Sequence, residues 1–157
     1  MPTFDVTTLT PRPAAVVQAE VPLSEITTVF DHAFGAVADA VAAQGAQLAG
    51  PPFGFYPRMP TDTVAVIAGF PVTAPIQASG EVVPFELPGG PAITAVHTGP
   101  YDTLERTYAE LAEWAAAAGY RLAEQMWETY LSDPSTQPDP ATWQTQIAWP
   151  VTRDSAA

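Results

Sequence analysis

The sequence predicts an α+β fold of duplicated strand–helix–strand–strand units, with a mainly antiparallel sheet and two main helices. Three observations carry that expectation. Two amphipathic stripes recur at helical spacing, strand-like runs flank each of them, and the second half of the chain echoes the first. At 157 residues the chain suits a single domain with a closed hydrophobic core. Its pseudo-repeats are expected over about 3–72 and 81–151.

The first helix is expected from about Ser24 to Gln44, with Ser24 as N-cap and Gly45 as the stop. Ile26, Phe30, Ala33, Val37 and Val41 fall three or four residues apart, the spacing of a stripe that faces a core. The second helix is expected from about Tyr101 to Ala118, ending at Gly119. Leu104, Tyr108, Leu111 and Ala115 form its stripe, with Trp114 alongside.

Strand-like runs "FDVTTL" and "AAVVQAEV" precede the first helix, and "AQLAGPPFGFY" and "TVAVIAGFPV" follow it. The second helix has "EVVPFEL" and "PAITAVHT" before it, and "YRLAEQMWETYL" and "TWQTQIAWPV" after it. Turns such as "PGGP" and "DPSTQPDP" separate the runs, and Pro84 within one of them marks an edge or a bulge.

The echo extends to residue identities. Gly45 to Tyr56, "GAQLAGPPFGFY", aligns without a gap on Gly119 to Tyr130, "GYRLAEQMWETY", and "IAGFPV" echoes "IAWPV" with a one-residue slip. Phe53 then matches Trp127, and Gly54 matches Glu128. Two halves related by a pseudo-twofold axis follow from such a duplication. The carboxylate in one half answers the smallest residue in the other, the pattern of a single asymmetric site.

Composition narrows the function. There are 17 acidic against 5 basic residues and no lysine, and Arg12, Arg58, Arg106, Arg121 and Arg153 are widely scattered. Nucleic acid and anionic membranes, both of which need clustered cations, are not expected partners. Acidity keeps such a chain in solution and draws cationic small molecules. No segment has the length of a membrane span and the start lacks a signal-peptide pattern, so a cytoplasmic location is expected. With no cysteine and two histidines, neither a metal nor any other cofactor is expected.

Strand alternation places Met126, Glu128 and Tyr130 on one face, and Trp127, Thr129 and Leu131 on the other. Trp143, Thr145, Ile147 and Trp149 share a face of the last strand, and Phe53, Phe55, Tyr56 and Phe70 add aromatics from the first half. Such rings either fill the core or wall a site for flat ligands, attracting cations by roughly 0.5–2 kcal/mol each. A desolvated Glu128 has a raised pKa and serves as counter-ion or general acid/base. Glu124, one pleat away, is expected on the same face. In "HTGPY", Gly99 and Pro100 make the turn into the second helix. Tyr101 is a candidate to point at Glu128, and His97 reads as a packed or capping residue. His32 reads as solvated.

"HTGPYDTLERTYAELAEWAAAAGY", then "ETYLSDP" and "TQIAWPV", resemble the GyrI-like small-molecule-binding domains, found also as effector-binding domains of AraC-type and MerR-type multidrug regulators. The resemblance is specific over roughly Ala92 to Val151. It implies a central cleft for aromatic, often cationic, compounds, with the glutamate of E-x-Y, here Glu128, at its floor and Tyr130 two residues on. The walls expected from it are Trp127, Tyr130, Trp149, Tyr101, Phe55 and Tyr56. Some stand-alone members of that family resemble hydrolases of cyclopropanoid compounds, which implies an alternative in which Glu128 activates water, supported by Tyr101 or Tyr130. Others bind gyrase, a third reading. The sequence shows no helix-turn-helix, so a DNA-binding regulator is not expected.

Overall fold

The computed structural model describes residues 4–58, 61–100, 103–131 and 139–153. They gather into two compact units, Thr10–Gly89 and Met1–Leu9 with Gly90–Ala157, called here the N-terminal and C-terminal units. The first strand, β1 (Asp5–Leu9), belongs to the C-terminal unit.

The N-terminal unit holds β2 (Arg12–Pro22), α1 (Ile26–Ala43), β3 (Phe53–Tyr56), β4 (Thr63–Pro71) and β5 (Val82–Leu87). Its strands pair antiparallel in the order β5-β2-β4-β3, and Pro84 lies in the edge strand β5. Helix α1 packs on one face, where Ala33, Val37 and Val41 meet Ala15, Val17, Val66 and Ala68. Phe30, Phe34, Phe70 and Tyr56 lie half-buried at the margin of that core. Phe34 stacks on Phe30 and meets Phe70 edge-on.

The C-terminal unit repeats the plan with β6 (Gly90–Thr98), α2 (Leu104–Ala118), β7 (Tyr120–Leu122), β8 (Met126–Tyr130) and β9 (Gln144–Arg153). Its order is β1-β6-β9-β8, again antiparallel, and β7 pairs with the far end of β9. The leading strand of each sequence repeat therefore belongs to the unit that holds the rest of the other repeat: β1 borders β6, and β5 borders β2.

The helix ends differ in detail from expectation. Ser24 is not the N-cap of α1: Pro22 ends β2, and the chain turns through a short 3-10 segment, Leu23–Glu25, which consumes Ser24. Glu25 stands at the cap position without a side-chain hydrogen bond. Helix α2 starts at Leu104, and its end is as read: Gly119 takes the left-handed conformation (φ 83°) that glycine adopts without steric cost. The run "YRLAEQMWETYL" is two strands, and Trp149 donates from Nε1 to the Ala123 carbonyl (2.8 Å) in the segment between them.

Candidate functional site

In an antiparallel ladder, directly opposed residues point to the same face. Glu128 opposes Ile147, Tyr130 and His97 both oppose Thr145, and Ile93 opposes Trp149. That face carries α2, since His97 bonds Thr107 and Trp149 meets the Tyr108 ring edge-on at 5.9 Å. Glu128 thus lies on the helix-facing side of the C-terminal sheet, among apolar neighbours.

Only 7 % of Glu128 is exposed. Tyr130, half-buried and two residues on, donates its hydroxyl to Oε1 at 2.8 Å. Removal from water raises the carboxyl pKa to about 7, and the Tyr130 hydrogen bond pulls it back only in part. Near neutrality the side chain therefore exists as both acid and carboxylate. In the anionic form it is a buried charge with one hydroxyl donor, able to hold a cation or to take a proton from a bound molecule.

His97 is a fixed strut. Thr103 gives its hydroxyl proton to the Pro100 carbonyl (2.7 Å), which leaves its oxygen to accept from His97 Nε2 (2.8 Å). The other ring nitrogen then accepts from the buried Thr107 hydroxyl (2.7 Å). The imidazole thereby ties the end of β6 to the first turn of α2. It also lines, with Thr98, Arg106 and Glu110, a polar recess of about 320 Å³ at that end of the unit. Gly99 between them has φ 135°, which a side chain would strain.

The remaining sequence-derived candidates are scattered. Trp149 shares the face of Glu128. Trp127 is buried on the opposite face of β8, by alternation from Glu128 and by pairing with Ala148. Phe55 points away from α1 and packs edge-on against Phe85 at 5.2 Å, whereas Tyr56 lies on the α1 side. Tyr101 lies outside the described residues. Glu124 does not share the pleat of Glu128: it is exposed in the gap between β7 and β8. Thr145 lies on this face with Ile147 and Trp149, as strand alternation predicts, and Thr107 is a buried polar member that an apolar helical stripe does not reveal.

Ladder positions also correct the alignment of the halves. Gly54 opposes Ala68 as Glu128 opposes Ile147. Counted from there, Phe70 falls in step with Trp149 and Val66 with Thr145, so no slip is needed.

A model of the GyrI-like small molecule binding domain matches residues 2–152. The chain belongs to the GyrI-like family. Among solved structures, the EcmrR C-terminal domain superposes with a TM-score of 0.83 at 22 % identity, covering 98 % of this chain and 99 % of that one. In the EcmrR–DNA complex the TM-score is 0.81 at 22 % identity, and this GyrI-like chain covers 58 % of the EcmrR chain. A Listeria innocua protein described as a hydrolase, lin2189, gives 0.66 at 14 % identity over 95 % of this chain and 91 % of that one. SAV2435, solved bound to tetraphenylphosphonium, gives 0.61 at 10 % identity over 96 % and 94 %. At such identities these likenesses establish the fold. No curated protein matches. Among the described residues no group of His, Asp or Glu is placed to hold a metal, and no helix is long and apolar enough to cross a membrane.

Proposed function

We propose that this GyrI-like domain binds apolar aromatic compounds, cationic ones preferred, on the helix-facing side of its C-terminal unit, with Glu128 as the anchoring charge. The observation that carries the reading is a carboxylate buried on an apolar sheet face with no basic partner shown and one tyrosine hydroxyl as donor. A bound organic cation supplies the missing opposite charge, and Trp149 and Tyr130 supply ring faces. The tetraphenylphosphonium held by SAV2435 is a compound of this class. Of the other wall candidates, Tyr101 is retained for testing; Phe55 packs on Phe85 and Tyr56 on the α1 core, both within the N-terminal unit, and Trp127 lies on the far face of β8.

The test is quenching of tryptophan fluorescence by tetraphenylphosphonium at pH 8, with wild type and Glu128→Gln side by side. Saturable quenching, weakened tenfold or more in the variant, is the expected result. Equal affinity in both proteins removes Glu128 from the site.

One observation favours a second reading, hydrolysis. A carboxylate titrating near 7 is poised as a general base toward water, and Tyr130 or Tyr101 would support the developing oxyanion. Mass spectrometry of a cyclopropanoid compound after incubation separates the two. Recovery of a water adduct from wild type and not from Glu128→Gln supports catalysis, and unchanged compound supports binding alone.

A further inference from the structure

Among the described residues, two buried side-chain oxygens have no hydrogen-bond partner, Tyr108 Oη and Thr145 Oγ1. Thr145 is 0 % exposed and stands in the middle of a transverse row on the helix-facing side, between His97 on β6 and Tyr130 on β8. Both neighbours have their polar atoms committed elsewhere, His97 to Thr103 and Thr107, and Tyr130 to Glu128. An unpartnered buried hydroxyl is costly, and valine has nearly the same shape without that cost.

The N-terminal unit takes the cheaper choice. Its residue in step with Thr145 is Val66, opposed by Ala19 where Thr145 is opposed by His97. The half that has Gly54 carries the valine, and the half that has Glu128 carries the threonine. The sheet itself therefore does not require the hydroxyl.

We infer that Thr145 is a specificity-determining residue of the Glu128 site, donating its hydroxyl to an acceptor atom on the ligand. This rests on Glu128 being the anchor proposed above. Thr145 is diagonal to Glu128, with Cβ atoms roughly 7 Å apart. A ligand hydroxyl between them accepts from Thr145 and donates to the carboxylate, spanning roughly 5 Å with two ordinary hydrogen bonds. That hydroxyl takes over the bond which Tyr130 makes to Oε1, and the half-buried Tyr130 ring, directly across from Thr145, moves aside to admit it. The ligand class is an aromatic compound bearing an alcohol or amide, in preference to a bare apolar cation.

The experiment uses two probes that differ by one alcohol, tetraphenylphosphonium and (4-hydroxymethylphenyl)triphenylphosphonium, titrated calorimetrically at pH 8. Wild type is expected to bind the alcohol about fivefold more tightly, the worth of one net hydrogen bond. In Thr145→Val that ratio falls to one, while tetraphenylphosphonium affinity stays within twofold and the Tm does not fall. Thr145→Ser and Thr145→Ala, which differ only in the hydroxyl, repeat the comparison, with the ratio kept in serine and lost in alanine. A ratio of one in wild type, or a ratio that survives in valine and alanine, overturns the inference while leaving Glu128 as anchor. Failure of tetraphenylphosphonium itself to bind wild type removes the anchor and the inference together.

Discussion

On the helix-facing side of the N-terminal sheet, Ala19, Val66, Gly54 and Ala68 lie beneath α1; in step with them under α2 are His97, Thr145, Glu128 and Ile147. Strand order and helix placement are the same in both units, and among the described residues only the second buries an imidazole, a hydroxyl and a carboxylate. Burying such groups costs free energy unless each is paired. His97 is paired and Thr145 is not, while Glu128 is paired once and, with its pKa raised to about 7, gives up part of its charge by protonation near neutrality. The fold has slack here: a position that tolerates valine in one unit carries a costly threonine in the other, beside the only buried carboxylate among the described residues.

The largest expected effect tests whether the packing beneath that difference is ordinary. Leu111→Ala, at a wholly buried position of α2, should cost about 3–4 kcal/mol of stability, measured by urea unfolding. A similar magnitude, in the opposite sense, attaches to Glu128. Its folded pKa of about 7 lies above the ordinary 4.5, so the native state binds the proton more tightly than the unfolded chain. Stability from this group is full below pH 4.5 and is lost as pH rises through 7, by about 3 kcal/mol in all. Wild type should therefore weaken between pH 5 and pH 8 by about 2.5 kcal/mol relative to Glu128→Gln, read from denaturation midpoints at the two pH values.

Next comes the strut. His97→Ala leaves the buried Thr107 hydroxyl without its partner and should cost about 2 kcal/mol. The smallest effect is the mirror of the threonine argument. Val66→Thr puts an unpartnered hydroxyl into the N-terminal core and should cost about 1–2 kcal/mol in a thermal melt. A neutral outcome would mean that the two rows differ more than their ladders indicate.

Much of this was legible in the sequence for physical reasons. Ala33, Val37, Val41, Leu111 and Ala115 keep helical spacing because one face of each helix must be dry. Gly119 ends α2 because a left-handed residue is needed there. Glu128 stood out because its neighbours on the same strand face, Met126 and Tyr130, are apolar or aromatic. Pairing partners were not legible: nothing in "FDVTTL" says that it joins β6 rather than its neighbour β2. Nor was the role of Thr145, since alternation gives its face but not the lack of a partner. The alignment slip arose because identities drew Ile67 and Ala68 toward Ile147 and Ala148, while the ladders match Ala68 to Ile147.

The role of Glu128 is decided by the affinity for tetraphenylphosphonium across pH 5 to 9 in wild type and Glu128→Gln. If the buried carboxylate anchors the cation, wild-type affinity rises with pH through about 7 and then levels, following deprotonation of Glu128. The variant then binds weakly with a flat profile. Coincident profiles for the two proteins would contradict the account.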